Sequence, residues 1–537
     1  MIRRRPLRFW LVAAAFAAAI LGWTLYVPYA PAMLYAPIPA GATFISEHRD
    51  LAVRWESFSK NPLMLSLFAS LGIEPSALKD LTEDPESRAW FERLAARDVV
   101  LAQVPALGNY SEPAWVFASW LGGRSQRLRW SLSWGDVPGF VRQTPHRGRT
   151  YWRVASPYLR PGLVLTVALE EGILIGCLSR HTDTMQDVLD TFDGILPSAG
   201  MRGRSRAAGP WCSTRPEADR GWVDLSGVAE GESLAPPSVT YEFSEVMPGS
   251  LAGQACGELP VEFPPAPAGG LETGGLDGLL GDLPIAVTVM NTALLGPFTE
   301  ARVRPLWLHL LGEVVHDQKA GVFAASLLSG DYSGRLKGIK IPALVVGIPA
   351  ADGEAALAWA RAALDRLNAR YRWGLIPQEL PAGDGEVFAV SGTGEGIYAT
   401  LAPEEQAAYA FHGGWLLLAS NAGCLQRLIE RRHGDGAVPE PGRARWMEGL
   451  NEVQAPCYGW IDLARGGKTL RLAVTTYSLK LLMEDPRGSQ KPRERLNEAK
   501  AWIDSFAPLD TCRFWLRSDG HTVNVSFKAG EQTASDQ

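Results

Sequence analysis

The histidines and cysteines of this chain, the usual residues for metal binding and nucleophilic catalysis, do not show the spacing that such chemistry requires. No two histidines are four residues apart, no H-E-x-x-H string occurs, and the cysteines form no C-x-x-C pair. A G-x-S-x-G nucleophile elbow and a G-x-x-x-x-G-K-[ST] phosphate loop are also missing from the sequence. The sequence therefore predicts no catalytic, metal-ligating or cofactor-binding residue. The histidines are His48, His146, His181, His309, His316, His412, His433 and His521.

One glycine-rich segment resembles a phosphate-binding loop. Residues 392–396 read Gly-Thr-Gly-Glu-Gly, but strand-like sequence lies on both sides of them, at 387–390 and 397–401. A phosphate loop needs a helix after it, because the amides at the helix N-terminus bind the anion. We therefore expect a hairpin turn at 392–396 and no nucleotide site.

Two similar strings, GWVDL at 221–225 and GWIDL at 459–463, each place an aspartate at the end of a predicted strand. A catalytic carboxylate and an Asx turn are the alternatives, and we interpret Asp224 and Asp462 as turn residues. In a related pattern, Ser179 and Ser420 follow an apolar strand, where each is expected to cap the next helix.

The two strings belong to a longer duplication, since five other segment pairs recur in the same order at offsets between 229 and 245. We predict two homologous halves, 38–256 and 283–530, joined by a Pro- and Gly-rich linker at 257–284. The matched segments are 38–46 with 283–291, 61–72 with 304–315, 112–120 with 341–349, 148–156 with 385–393, and 171–189 with 413–429.

The secondary structure pattern within each half predicts an α+β fold with largely antiparallel sheets and singly inserted helices, because apolar strand patterns mostly follow one another through short turns. Gly172 and Gly414 mark two of these turns. Short apolar runs predict strands at 99–104, 114–120, 163–169 and 173–178. Helical periodicity predicts helices at 354–371, 185–192 and 425–432.

The N-terminus carries a targeting signal. Residues 9–27 contain no charge and would span roughly 28 Å as a helix, which is enough to cross a membrane. Four arginines lie within the basic segment 1–8, and no Lys or Arg follows the apolar stretch until Arg49. We predict one transmembrane helix at 9–27 in the bacterial inner membrane, with a cytoplasmic N-terminus and the bulk of the chain outside the cytoplasm. A cleaved signal peptide is the alternative.

The composition argues against two classes of protein. With 46% hydrophobic and 20% charged residues, the 537-residue chain can bury sizeable cores, which excludes wholesale disorder. A net charge of -6 argues against a nucleic-acid partner, since such proteins need a basic footprint. The 19 tryptophans are an excess that favours large cores, sugar platforms or interface anchoring.

The cysteines permit a disulfide prediction, because an extracytoplasmic chain meets an oxidising compartment. One cysteine lies on either side of each GW(V/I)DL string, which favours the bridges Cys212–Cys256 and Cys457–Cys512. Six unpaired thiols are the alternative, since sequence does not determine connectivity. The other two cysteines, Cys177 and Cys424, are expected to be single buried thiols.

This layout resembles a broad group of uncharacterised, N-terminally membrane-anchored bacterial envelope proteins. The resemblance is carried by the N-terminal apolar segment, a "P-small-x-apolar strand" start and the repeated "G-apolar-apolar-apolar-x-S" units at 172–179 and 414–420. It implies an extracytoplasmic α+β protein of unknown role, and it provides no site residues.

The leading functional hypothesis is a membrane-tethered, non-enzymatic binding or scaffold protein of the cell envelope, whose partner is an envelope protein, a lipid or a glycan, with the bilayer contacted through 9–27. The alternatives are an envelope hydrolase or transferase with a site assembled from distant loops, and a lipid-handling protein. An enzymatic site would use acidic or histidine residues present in only one half, such as His316 and Asp317.

Overall fold

A computed structural model describes most of the chain. The described residues, apart from a few single positions, are 26–70, 84–105, 113–155, 159, 161–199, 219–226, 237–263, 284–291, 322–328, 333–336, 339–392, 401–434, 455–484 and 496–530, with a few residues before Tyr26.

The predicted fold class is wrong. Nineteen strands of the described residues belong to one large antiparallel sheet with few helices, instead of an α+β arrangement with separate sheets. The turns and apolar runs reveal which segments are strands, but they do not reveal which strand edges pair. No helix of the described residues is long and apolar enough to cross a membrane, so the predicted transmembrane helix is not found. Most of residues 9–27 lie outside the described part of the chain.

Compact packing divides the chain into two units. Unit 1 contains Met1–Leu225 and Ser238–Pro248, and unit 2 contains Ser226–Pro237 and Gly249–Gln537. The matching of the two predicted repeat halves remains a prediction. Strand β10 of unit 2 runs from Ser250 to Phe263, so the first residues of the predicted linker are strand, and residues 264–283 lie outside the described ranges.

The described residues of unit 1 form nine strands, which pair in the order β9-β8-β1-β2-β3-β7-β6-β5-β4. These strands are β1 Phe44–Arg49, β2 Asp98–Val104, β3 Ala114–Trp120, β4 Phe140–Arg142, β5 Tyr151–Val154, β6 Val164–Glu170, β7 Ile173–Ser179, β8 Asp219–Asp224 and β9 Ser238–Met247. Its α-helices are α1 Leu51–Lys60, α2 Pro62–Ser70, α3 Pro85–Leu94, α4 Gly123–Trp134 and α5 Thr184–Phe192.

Unit 2 repeats this order. Its strands pair as β10-β21-β20-β11-β12-β15-β19-β18-β17-β16, and β13 with β14 forms a separate hairpin. They are β10, already given, β11 Pro284–Asn291, β12 Val322–Leu328, β13 Gly334–Leu336, β14 Ile339–Ile341, β15 Ala343–Pro349, β16 Leu375–Ala382, β17 Gly385–Gly392, β18 Ala408–His412, β19 Trp415–Ala419, β20 Cys457–Asp462 and β21 Thr511–Gly530. The helices are α6 Gly353–Tyr371, α7 Ala422–Gly434 and α8 Leu463–Glu484.

The repeated sequence segments lie on strands with equivalent positions in the two orders. GWVDL lies on β8, between β1 and β9, and GWIDL lies on β20, between β11 and β21. The pairs β3 with β15, β5 with β17 and β7 with β19 also carry matched segments. This agreement supports the hypothesis of a tandem duplication.

In each unit, helices pack against both faces of the strands. In unit 1, Leu132 of α4 packs in one buried cluster with β6 and β7, while Met185 of α5 packs in another on the opposite face. In unit 2, Leu364 of α6 and Leu425 of α7 belong to separate clusters in the same way. Strands that are buried on both faces have no polar side, which explains the uninterrupted apolar runs.

The structure confirms, to within a few residues, the short apolar strands and the helices that the sequence predicted. The strands are those predicted at 99–104, 114–120, 163–169 and 173–178, and the helices are those predicted at 354–371, 185–192 and 425–432. The predicted turns at Gly172 and Gly414 are also confirmed, since their φ angles are 89° and 84° and link β6 to β7 and β18 to β19. Such left-handed φ angles suit glycine, which has no Cβ to clash with the backbone.

The predicted Cys457–Cys512 bridge is wrong. Cys457 pairs with Leu516 and Cys512 with Ile461, so the two cysteines lie four positions apart along neighbouring strands and both thiols are free. Four residues of strand correspond to about 13 Å, well beyond the roughly 7 Å that a disulfide tolerates between Cα atoms. Cys212 lies outside the described residues, so the Cys212–Cys256 bridge stays a prediction.

The expected single thiols are confirmed at Cys177 and Cys424, which are free and fully buried. Burial raises the pKa of each thiol to about 12, so neither ionises near neutral pH.

Candidate functional site

Among the positions that sequence alone singled out, those that the structure describes do not assemble into a site. Residues 393–396 of the glycine-rich segment, together with His316 and Asp317, lie outside the described residues. Asp462 does have a structural role: its Oδ1 accepts a hydrogen bond from the Arg465 amide (2.7 Å), which caps α8. In the described ranges no group of three His, Cys, Asp or Glu side chains could hold a metal ion.

A buried polar cluster of unit 1 joins β1, β8, β9 and α1. We call it the polar clamp, and its members are Ser46, His48, Arg54, Asp219 and Tyr241. Pairing of β1 with β8 places His48 directly opposite Asp219, and His48 Nδ1 lies 2.8 Å from Asp219 Oδ1. On the other edge of the imidazole, Nε2 lies 2.8 Å from Ser46 Oγ.

Arginine completes the clamp from the helix that follows β1. Arg54 donates to both carboxylate oxygens of Asp219, with 2.8 Å between Nη2 and Oδ1, and also donates to the Arg49 carbonyl. The planar guanidinium is suited to this bidentate contact. Phe58, one turn later on α1, packs edge-on against His48 with 5.6 Å between ring centroids. The helix is thereby tied to the sheet by charge and by ring packing together.

The electrostatics of the clamp favour an ionised Asp219. Burial raises the pKa of this carboxyl, but the hydrogen bonds and charges of His48 and Arg54 outweigh burial, so the net pKa is lowered. Tyr241 is half-buried, and desolvation raises its pKa while a hydrogen bond with Ser46 opposes that effect. The cluster therefore holds one buried carboxylate with two partners.

Ser46, His48 and Asp219 have the contacts of a nucleophile, a base and an orienting acid. The imidazole contacts serine through Nε2 and aspartate through Nδ1, as in acyl-transfer triads. The serine is closed off in this structure, however, because only 1% of Ser46 is exposed and β1 is paired on both sides. As it stands, the arrangement holds β1, β8 and α1 together.

Unit 2 has apolar residues at the positions equivalent to His48, Asp219 and Tyr241, and Thr288 at the position of Ser46. Because Ser46 pairs with Gly221, and Thr288 with Gly459, the registers match His48 to Met290 and Asp219 to Cys457. Tyr241 corresponds to Phe514, since each lies opposite the glycine of the repeated string. Met290 and Phe514 pack against Cys457, so an apolar cluster replaces the polar clamp.

A second feature of unit 1 is exposed. Helix α4 buries Leu128 and Leu132 against the sheet and presents the opposite face to solvent. We call that face the tryptophan surface, and its members are Arg124, Arg127, Trp130, Ser131 and Trp134.

The tryptophan surface is flat, aromatic and basic. Trp130 and Trp134 stack with 6.1 Å between ring centroids and 7° between planes, and 84% of Trp134 is exposed. Beside them is an open depression of about 540 Å³, which Arg127 and Ser131 also line. Within the described residues Arg124 and Arg127 make no ion pair. The exposed indole stack therefore lies beside two arginines that pair with no described acid.

Unit 2 carries an aromatic pair at the equivalent place, where the helix before the edge strand ends. Tyr371 and Trp373 stack with 4.5 Å between centroids and 14° between planes, and Arg370 lies 5.7 Å from the Tyr371 ring. Tyr371 is 39% exposed, far less than Trp134. The aromatic pair is therefore repeated, but its exposure differs between the units.

Sequence reasoning missed both features. The i, i+2 spacing of Ser46 and His48 on a strand was a usable signal, yet Asp219 is 171 residues away and becomes adjacent only through β8. For the tryptophan surface, Arg127, Trp130 and Trp134 share one face at helical spacing, opposite the apolar pair Leu128 and Leu132. That arrangement was readable from the sequence.

Comparison of this chain with protein-family models, with curated proteins and with solved structures finds no match.

Proposed function

We propose that this chain is a non-enzymatic binding or scaffold protein of the bacterial cell envelope, and that its ligand binds at the tryptophan surface. The observation that carries the proposal is the exposed stack of Trp130 and Trp134 beside the depression lined by Arg127. Tryptophan and arginine dominate the binding energy of interfaces, because they combine a large apolar area with directed polar groups.

The location in the inner membrane, tethered with its bulk outside the cytoplasm, is part of this proposal. It rests on the basic residues before 9–27 and the absence of Lys and Arg from there to Arg49. The partner is expected to be an envelope component rather than a nucleic acid, given the net charge of -6.

The proposal is tested by capture with the full chain. Envelope extract, separated into protein, lipid and glycan fractions, is passed over immobilised wild type, Trp130→Ala/Trp134→Ala and Val53→Ala. Val53 is a matched control, because it is an 81%-exposed apolar residue on a different helix, α1. A component held by wild type and by the control but lost from the double variant supports the proposal. Equal retention by all three proteins contradicts it.

A second candidate function is ester hydrolysis, which the contacts among Ser46, His48 and Asp219 favour. Ser46 Oγ would attack the ester carbonyl carbon while its proton passes to His48 Nε2 and then to the leaving alkoxide. Water would then attack the acyl-enzyme and release the acid, returning the proton to Ser46. The burial of Ser46 places this function second.

An active-site label separates the two functions. A fluorophosphonate reacts with a serine that has an activating base, so native full chain would be labelled at Ser46 and the Ser46→Ala variant would not. A native protein that takes up no label, or that is labelled equally after Ser46→Ala, removes hydrolysis at this site from consideration.

A further inference from the structure

We infer that the tryptophan surface binds a glycan that carries carboxylate groups. This inference rests on the proposed binding function and names the chemical class of the ligand. Three properties of the surface support it: the flat aromatic stack, the exposed arginines and the shallow, partly polar depression.

The aromatic stack is suited to a sugar ring. The face of an indole carries the negative end of its quadrupole, which attracts the polarised C–H groups on one face of a pyranose. Trp134, with 84% of its surface exposed and its ring parallel to that of Trp130, presents such a face to solvent. A flat ring can cover it without any movement of the protein.

The arginines favour a negatively charged ligand. Arg127 lines the depression beside the indoles, and Arg124 lies one turn earlier on the same exposed face of α4. The guanidinium fork matches the geometry of a carboxylate in a bidentate contact. A uronate unit stacked on Trp134 could therefore place its carboxylate at Arg127.

The depression does not have the shape that a lipid chain requires. It is open to solvent, and it is lined by an arginine and a serine as well as by the indoles. A helix that inserts into a membrane needs a broad apolar face, whereas the exposed face of α4 carries only two large apolar side chains, Trp130 and Trp134. These observations favour a glycan over a bilayer surface.

The experiment measures the binding of full chain to three probes: polygalacturonate, its fully methyl-esterified form, and vesicles that contain phosphatidylglycerol. The first two probes share a backbone and differ only in charge. The variants are Trp134→Ala, Arg127→Ala and Arg127→Lys, and Arg153→Ala is the control. Arg153 is an exposed arginine on β5, outside the surface. Circular dichroism verifies that each variant is folded.

We expect polygalacturonate to bind wild type and the Arg153→Ala control equally. Trp134→Ala and Arg127→Ala are expected to weaken binding about tenfold each, the equivalent of one lost strong contact. Arg127→Lys is expected to recover only part of the affinity, because lysine keeps the charge but loses the fork. The methyl ester should bind more weakly than the acid.

Three outcomes would overturn the inference: no binding of polygalacturonate, binding that all variants retain, or equal binding of the acid and its ester. Surface-dependent binding of the vesicles alone would also overturn it, but the proposed binding function would survive. Failure of the proposed function has a different signature, since wild type and Trp130→Ala/Trp134→Ala would then retain the same envelope components.

Discussion

The two units pair the same strands but differ in the polarity of the side chains there. The strands are β1 and β8 in unit 1, and β11 and β20 in unit 2. His48 faces Asp219 in unit 1, whereas Met290 faces Cys457 in unit 2. The opposite face of the sheet shows the same contrast. Glu47 accepts hydrogen bonds from Arg220 (2.7 Å) in unit 1, and the equivalent pair in unit 2 is Val289 and Tyr458.

This difference shows that the strand order does not depend on whether the side chains at these paired positions are polar or apolar. A buried ion pair costs desolvation energy that its attraction only partly offsets, so an apolar pair of similar size is often as stable. The polar clamp instead ties one particular helix, α1, to one particular strand, since Arg54 and Asp219 satisfy each other only in that arrangement. Four predictions test this difference between the units. Hydrogen-exchange mass spectrometry of peptides from β8 and β20 measures the local stability of the two units separately.

The largest expected effect is that of Asp219→Ala. This change leaves Arg54 and His48 beside a buried cavity without their carboxylate, and it is expected to lower the free energy of unfolding of unit 1 by about 3–5 kcal/mol. The matched change in unit 2, Cys457→Ala, removes only apolar contacts and is expected to cost about 1 kcal/mol. Urea unfolding measures both variants. Equal losses would show that the clamp is no more important than its apolar counterpart.

Replacing the glycine of either repeated string, Gly221 or Gly459, is expected to lower the stability of its unit. A Cβ at Gly221 would overlap the Tyr241 ring and lie 2.6 Å from the Ile45 carbonyl oxygen, and a Cβ at Gly459 would overlap the Phe514 ring. Each change to alanine is expected to cost about 1–3 kcal/mol, with Gly221→Ala the more severe because a paired backbone cannot move as a ring can. Gly41→Ala is the control, since nothing lies within 4 Å of its added Cβ. Urea midpoints as high as that of the control would contradict the prediction.

Replacing the charged residues of the clamp by uncharged ones, two of them taken from unit 2, is expected to have a smaller effect than removing the Asp219 carboxylate alone. The triple variant His48→Met/Asp219→Cys/Arg54→Leu leaves no buried charge unpaired, so its free energy of unfolding is expected to lie within about 1 kcal/mol of wild type. Urea unfolding of the triple variant beside Asp219→Ala makes the comparison. A triple variant as unstable as the single one would show that the clamp contributes stability beyond charge pairing.

The smallest expected effect is a pH dependence confined to unit 1. The pKa of Asp219 is lowered in the folded protein, so its contribution to stability is present above the unfolded pKa of about 3.9 and is lost as the pH falls below that value. The urea midpoints of wild type and of the triple variant are compared at pH 6 and at pH 3. Wild type is expected to lose more stability on acidification than the triple variant does. A constant difference between them would contradict the assignment of an ionised Asp219.

The sequence predicted the strands of the repeats well, but it misaligned β1 with β11 by three residues and β5 with β17 by one. The sequence match placed Ser46 opposite Asn291 of the other repeat, whereas the pairing with Gly221 and Gly459 shows that Ser46 corresponds to Thr288. Residues 284–290 are apolar except for Thr288, so this stretch carries no alternation that could separate the two alignments. The difference of three residues also hid the exchange of His48 for Met290, and therefore the polar clamp.

The helix caps also show that the sequence pattern did not determine exact residue positions. The predicted caps at Ser179 and Ser420 are wrong. Ser179 donates to the His181 carbonyl, and Ser420 accepts from the Leu344 amide of β15. The side chain that caps α7 is Asn421, whose Oδ1 accepts from the Cys424 amide at 2.8 Å. A cap depends on where the backbone turns, and a shift of one residue gives that role to a neighbour.

The sequence by itself determined where the strands and helices of the repeats lie, in what order they recur, and which glycines turn the chain. These properties follow from local apolar periodicity and from backbone angles that each residue permits. Only the tertiary structure decided that the strands join in one large antiparallel sheet, that Cys457 and Cys512 lie far apart, and that His48 meets Asp219. The reason is that strand edges present the same amides and carbonyls along their whole length, so partner and register are chosen by the packing of residues far apart in the chain.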